Sequence, residues 1–140
     1  MTQEFALDER LAADTEPVAA LELSDLRLMK DARFPWLILI PRRPEIAELI
    51  DLVPADLARL NDEIALTARA LRSATSCAKL NIGALGNIVR QLHVHVVARF
   101  TDDPAWPGPV WGSGPPVAYR GEERHRLVGL IRAALPASRQ

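Results

Sequence analysis

The chain has 140 residues, with 17 Lys and Arg against 18 Asp and Glu for a net charge of −1; 49% of it is hydrophobic and 25% charged. A composition this close to the globular average argues against a disordered or fibrous chain, and the length suits one domain over residues 1–140. The near-neutral charge supplies no long-range field to gather a polyanion, so nucleic acid is not an expected partner. Cys77 is the only cysteine, which rules out an intrachain disulfide and a Cys-rich zinc site and favours a reducing compartment. No basic stretch leads into an apolar core at the amino terminus, and the apolar run near Phe34 to Ile40 is too short to cross a bilayer. The expected location is cytoplasmic, with no membrane partner.

Leu7 and Leu11, set among charged residues, predict a short helix within residues 5–16, ended by Pro17. Val18 to Leu23 and Leu26 to Lys30 read as the strands of a hairpin turned by Ser24 and Asp25. The apolar run Phe34 to Ile40, closed by Pro41 and Pro44, predicts a strand buried on both faces and central in its sheet. From Pro54 the period changes. Leu57, Leu60, Ile64, Ala68 and Leu71 recur at three- and four-residue steps, the pattern of an amphipathic helix with proline in its first turn. Ala78 to Ile82 is a short strand candidate, and after a glycine-bearing turn Ile88 to Phe100 reads as the longest strand.

Residues 101–118 are too rich in Pro and Gly for regular structure, yet Trp106 and Trp111 are costly to leave in water, so this loop is expected to pack against something. Glu122 to Leu135 predicts a closing helix with Leu127, Leu130, Ile131 and Ala134 on its buried side. Strands and helices are grouped rather than alternating, which favours an α+β fold with an antiparallel sheet.

The chemistry concentrates between Asn81 and Val97. Side chains alternate along a strand, so Leu92, Val94 and Val96 share one face while Gln91, His93 and His95 form a polar row on the other. Residues two apart lie roughly 6–7 Å from each other along a strand, close enough for both imidazoles to approach one phosphate-sized group. Neutral imidazole carries a lone pair near physiological pH, so a histidine can attack phosphorus or pass a proton to a leaving oxygen. Gly83 and Gly86, in the turn before this row, let backbone N–H groups converge on an anion. The turn is neither a P-loop nor a dinucleotide fingerprint, because no Gly-Lys-Ser/Thr is present and a strand follows it.

These residues resemble the histidine-triad (HIT) family. Its pattern is His-φ-His-φ-His-φ-φ, with φ apolar, and Gln91-Leu-His93-Val-His95-Val-Val97 matches at every position except the first histidine, where Gln91 stands. Asn81 and Gly86 match the asparagine and glycine that precede the motif. Asp31 lies where the family has an acid that bonds the ribose hydroxyls, and Trp106-Pro-Gly is similar to a Trp-Pro turn with which some members reach the partner subunit's active site.

The resemblance implies a five-stranded antiparallel sheet with a long helix and a C-terminal helix packed on it, assembled as a homodimer. It implies a purine nucleotide or nucleotide conjugate as ligand, His93 as a nucleophile forming a nucleotidyl-histidine intermediate, and His95 as a contact to the phosphate or leaving group. Gly86, Asn87, Ile88 and Val89 become a backbone cradle for the phosphate, and release of a nucleoside monophosphate needs no metal or other cofactor. Gln91 keeps activity if the first position serves through its backbone carbonyl, and the rate falls if an imidazole there tunes the nucleophile.

Other readings stand beside this one. A pair of histidines on a strand is often a surface or interface feature, and a His-x-His strand can bind zinc if acids complete the set. His125 reads as a solvated helix residue, Cys77 as a small core residue, and Arg90 and Arg99 as solvated charges flanking a strand. A nucleotide-binding signalling module with weak or no catalysis is the alternative to an enzyme.

Overall fold

In the computed structural model, residues 4–136 are described. The chain forms α1 (Glu9–Asp14), β1 (Thr15–Ala20), β2 (Ser24–Met29) and β3 (Trp36–Pro41), then a 3-10 turn (Leu49–Asp51) and α2 (Pro54–Thr75), followed by β4 (Lys79–Gly83), β5 (Val94–Arg99) and α3 (Glu123–Ala134). One five-stranded sheet runs in the order β1-β2-β3-β5-β4, every neighbour antiparallel. This is the α+β architecture expected from the grouping of strands and helices.

β3 is central and buried at every position, as its unbroken apolar run requires. Its side chains divide between two cores. Leu37 and Leu39 join Val94, Val96 and Ala98 of β5 under α2 and α3, while Trp36, Ile38 and Ile40 join Val97 on the opposite face. That second face is covered by Phe5, Leu7 and Leu11 from the amino-terminal segment and by Val110 and Trp111 from the long loop. The face that carries the histidine row is therefore roofed over.

Several boundaries differ from the sequence reading, each for a local reason. The opening helix begins at Glu9 because Asp8 caps it, accepting from the N–H groups of Arg10 and Leu11. It stops at Asp14, and Pro17 sits in β1, an edge strand where a missing N–H is tolerated beside a bulge between Pro17 and Ala19. The hairpin turns at residues 21–23 rather than at Ser24-Asp25, since the Leu21 N–H bonds the Ser24 carbonyl at 2.8 Å.

The strand expected over Ile88 to Phe100 shortens to Val94–Arg99. The chain bends at Gly86, with φ of 70°, and the Leu92 N–H is taken by the Ile46 carbonyl at 2.9 Å instead of by a neighbouring strand. His93 thus stands just before β5 and His95 within it.

Helix α2 starts with Pro54 at its first position and buries Leu60, Ala68 and Leu71, while Leu57 is exposed. In α3 the inward residues are Val128 and Ile131, whereas Leu130, expected on the buried side, points to solvent. The sheet beneath decides this rotation, because Leu130 and Val128 lie about 160° apart around a helix of 3.6 residues per turn. Ile131→Ala is expected to destabilise the protein by about 2–5 kcal/mol and Leu130→Ala by no more than about 0.5 kcal/mol, read by urea denaturation. Equal losses would contradict this placement of α3.

Candidate active site

Alternation along β5 sends His95, Val97 and Arg99 to the second face, and the antiparallel register sets Ile38 opposite His95. The imidazoles of His93 and His95 lie edge to face, with ring centroids 4.9 Å apart. Both are mostly enclosed, at 7% and 5% exposure.

Their Nδ1 atoms have different partners. His93 Nδ1 lies 2.7 Å from the backbone carbonyl of Gln91, an acceptor, so this nitrogen carries the proton and Nε2 is left with its lone pair. His95 Nδ1 lies 2.9 Å from the indole Nε1 of Trp36. Trp111 also packs edge-on against His95, at 5.3 Å between centroids, and against Trp36 at 6.3 Å. Burial, reinforced by the neighbouring His93, pushes the His95 imidazole down to about 3.

His93 opens into a cleft of about 320 Å³ walled by Ala47 to Ile50 on one side and Ala84 to Gly86 on the other, with Leu92 beside the imidazole. Gly86 takes a left-handed backbone conformation there. Among the described residues nothing accepts a hydrogen bond from the N–H groups of Gly86, Asn87, Ile88 or Val89. An imidazole with a bare ring nitrogen and Gly86, the first of these uncommitted amides, therefore border one space, an arrangement able to receive an anion.

A HIT domain matches residues 10–102, which include the Gly86 turn, His93 and His95. The chain belongs to the HIT domain family.

Members of this family are generally nucleotide-binding hydrolases and transferases. The chain is similar to three solved histidine triad proteins of nearly its own length. One from Sinorhizobium meliloti is 52% identical with a TM-score of 0.91, covering 94% of this chain and 97% of that one. One from Bradyrhizobium japonicum is 46% identical with a TM-score of 0.93, covering 95% and 99%. One from Marinobacter aquaeolei is 41% identical with a TM-score of 0.91, covering 95% and 97%. No curated protein matches the chain.

The remaining site candidates of this HIT protein are less directly placed. The Gln91 side chain turns to the amino-terminal segment, its Oε1 accepting from the Asp8 N–H and its Nε2 donating to the Ala6 carbonyl, each at 2.9 Å. Asp31, expected at the ribose, is 2% exposed and has its carboxylate engaged by the Arg33 guanidinium at 2.8 Å and by the Val117 N–H at 3.2 Å. Burial works against ionisation of Asp31, and these bonds outweigh it, holding the carboxyl below its ordinary value. Asn81 accepts from Arg99 at 2.7 Å. Asn87 and Ile88 are exposed on the turn, and Val89 packs onto the second core.

Three residues outside the expected site, Arg99, Trp111 and Trp36, shape it. Arg99, read as a solvated charge, is 1% exposed; it pairs with Asp103 at 2.8 Å and donates to the Gly108 carbonyl at 2.7 Å. Its guanidinium lies between the rings of Phe34 and Trp106, 5.7 and 5.6 Å from their centroids. Within the chain Trp106 packs on Arg99, and it is Trp111 that meets His95. In the sequence Trp36 reads only as part of an apolar strand. The signal that would have found it is the β3–β5 register, which places it diagonally across from His95.

Among the described residues no group of three or more His, Cys, Asp or Glu is placed to hold a metal ion, and no helix is long and apolar enough to cross a membrane. His125 is exposed on α3.

The folded protein excludes a proton from His95 that the unfolded chain binds near its ordinary value of 6.5. The stability tied to neutral His95 is complete above that value and is lost as pH falls toward about 3. His95→Gln is expected to flatten the loss of stability between about pH 6.5 and pH 4.5, above the main carboxylate range, in urea melts across pH. An unchanged slope would contradict a neutral buried His95.

Proposed function

We propose that this HIT protein acts on the α-phosphate of a purine nucleotide or nucleotide conjugate, through a nucleotidyl-histidine intermediate at His93, and releases a nucleoside monophosphate. One observation carries the reading: the Gln91 carbonyl holds the Nδ1 proton of His93 at 2.7 Å, which turns the Nε2 lone pair toward the cleft shared with Gly86. The first motif position then serves through its backbone, and glutamine in place of histidine keeps that service. The N–H groups of Gly86 to Val89 receive phosphoryl oxygens, and the apolar cleft residues Leu49, Ile50 and Leu85 surround the rest of the ligand.

In the first step His93 Nε2 forms a bond to phosphorus as the bond to the leaving group breaks, and the leaving group departs with the electron pair. Water then attacks phosphorus, the P–N bond breaks back onto His93, and the monophosphate leaves. Neither step calls for a metal or another cofactor from the residues present. Asp31 and Asn81 are assigned supporting roles, since Asp31 holds Arg33 and Val117 and Asn81 holds Arg99. The single Cys77 suits a reducing, cytoplasmic setting.

A homodimer belongs to the same proposal. Ile50, Val53, Ile82 and Ile88 are 87%, 60%, 48% and 80% exposed near the cleft and the outer strand β4, whose edge is unpaired in the sheet. Sedimentation at micromolar concentration is expected to show a dimer, and Ile50→Glu with Ile82→Lys to yield monomer. A wild-type monomer would remove that part.

The catalytic part is tested with an adenosine phosphoramidate and a dinucleoside polyphosphate. His93→Ala is expected to lower turnover by about a thousandfold or more, whereas Gln91→Ala stays within about tenfold of wild type because its carbonyl remains. Nucleotide binding without turnover on either substrate would replace the enzyme with a nucleotide-sensing module.

A further inference from the structure

Two neighbouring histidines meet Nδ1 partners of opposite polarity. A carbonyl can only accept, so His93 must place a proton on Nδ1 and leave Nε2 bare. An indole nitrogen can only donate, so His95, 2.9 Å from Trp36 Nε1, must leave Nδ1 bare and carry its proton on Nε2. We propose that Trp36 is a positioning residue that locks His95 as the Nε2–H tautomer, making it a fixed hydrogen-bond donor to a phosphoryl oxygen beside the His93 lone pair. The inference rests on the reaction proposed above and assigns it one more residue.

The lock is enforced from several sides. The Trp36–His95 bond is buried, and Trp111 packs edge-on against His95, opposing ring rotation. Among the described residues neither Nε2 has a hydrogen-bond partner, which leaves both for a ligand. Protonating His95 at Nδ1 would set two donors against each other in a buried space, at the cost of the bond and of desolvating a cation.

The charged and titratable groups around His95 leave the neutral form in place. His93 is the ionisable neighbour and adds to the bias against a second positive charge. Along the same strand face Arg99 is neutralised by Asp103. β3 presents Trp36 and Ile38, β4 presents Gly83 and Asn81, and the long loop presents Trp111, none of them charged. The low value for His95, about 3, agrees with this geometry.

One mechanistic consequence is specific. A neutral imidazole that gave up its Nε2 proton would become an imidazolate, so His95 stabilises phosphoryl charge by hydrogen bonding and does not act as a proton source. The proton a departing amine or oxygen requires comes from the substrate or from solvent. His93 and His95 then divide the work, one forming the bond to phosphorus and the other holding the charge that develops on its oxygen.

The test is direct observation of the tautomers in the full-length protein, by imidazole ¹⁵N–¹H correlation spectra across about pH 5–8, with His93→Gln and His95→Gln for assignment. The expected result is the Nε2–H tautomer at His95, with no titration in that range, and the Nδ1–H tautomer at His93. A proton on His95 Nδ1, or a titration of His95 within the range, overturns the proposal. Trp36→Phe should release the lock, giving mixed tautomers and a lower kcat by about tenfold with KM little changed, and Trp36→His should restore part of the loss through its own N–H. The wild-type spectra decide the matter even if these variants do not fold. The expected tautomers in a protein that turns over no substrate would support the lock and overturn only the catalytic reading.

Discussion

The burial of Arg99 is the constraint on which the histidine face depends. Its guanidinium is spent on Asp103, Asn81 and the Gly108 carbonyl and is sandwiched between Phe34 and Trp106. Asp103 in turn accepts from the backbone of Phe100, Ala105 and Trp106, and the arginine beside it holds its carboxyl down at about 2. A buried pair of this kind contributes little on its own, yet losing one partner strands the other at a cost of about 3–5 kcal/mol. Its value lies in geometry, because it forces a proline- and glycine-rich loop to close over the sheet at one definite place.

A second, half-buried arginine completes the closure. Arg33 is held by Asp31 and donates to the carbonyls of Ser113 and Gly114, while Asp31 also receives the Val117 N–H. The loop is thus tied at both ends, and Trp111 between the ties is pressed against His95 and Trp36. The enclosure of His95 follows from this packing, and with it the preference of that imidazole for the neutral form. Scaffold and histidine face are therefore linked through the loop, and Asp31 is one of its ties.

The glutamine at the first motif position shows how one residue can serve two ends. Its carbonyl fixes the proton on His93, and its side-chain amide presents a donor and an acceptor side by side to the Ala6 carbonyl and the Asp8 N–H. An imidazole, whose two nitrogens point apart, does not match that spacing. The amino-terminal segment held in this way brings Phe5 and Leu7 onto the second core, next to Val89 of the Gly86 turn.

Patterns of short range were legible in the residues themselves: the apolar β3, the three- and four-residue period of α2, the alternation that sets His93 and His95 against Val94 and Val96, and the glycine turn before them. These follow from backbone geometry, which repeats over a few residues and leaves its mark in any one segment. The motif from Gln91 to Val97 likewise carries the resemblance to the HIT proteins within the residues themselves. What the residues alone did not decide were contacts made across the fold: the shortened β5, the rotation of α3 that buries Val128 instead of Leu130, the descent of Arg99 into the core, and the meeting of Trp36 and Trp111 with His95. Each depends on which distant groups arrive to satisfy a hydrogen bond or cover a ring, and that is settled only when strands from residues 36–41 and 94–99 and the loop after them are packed together.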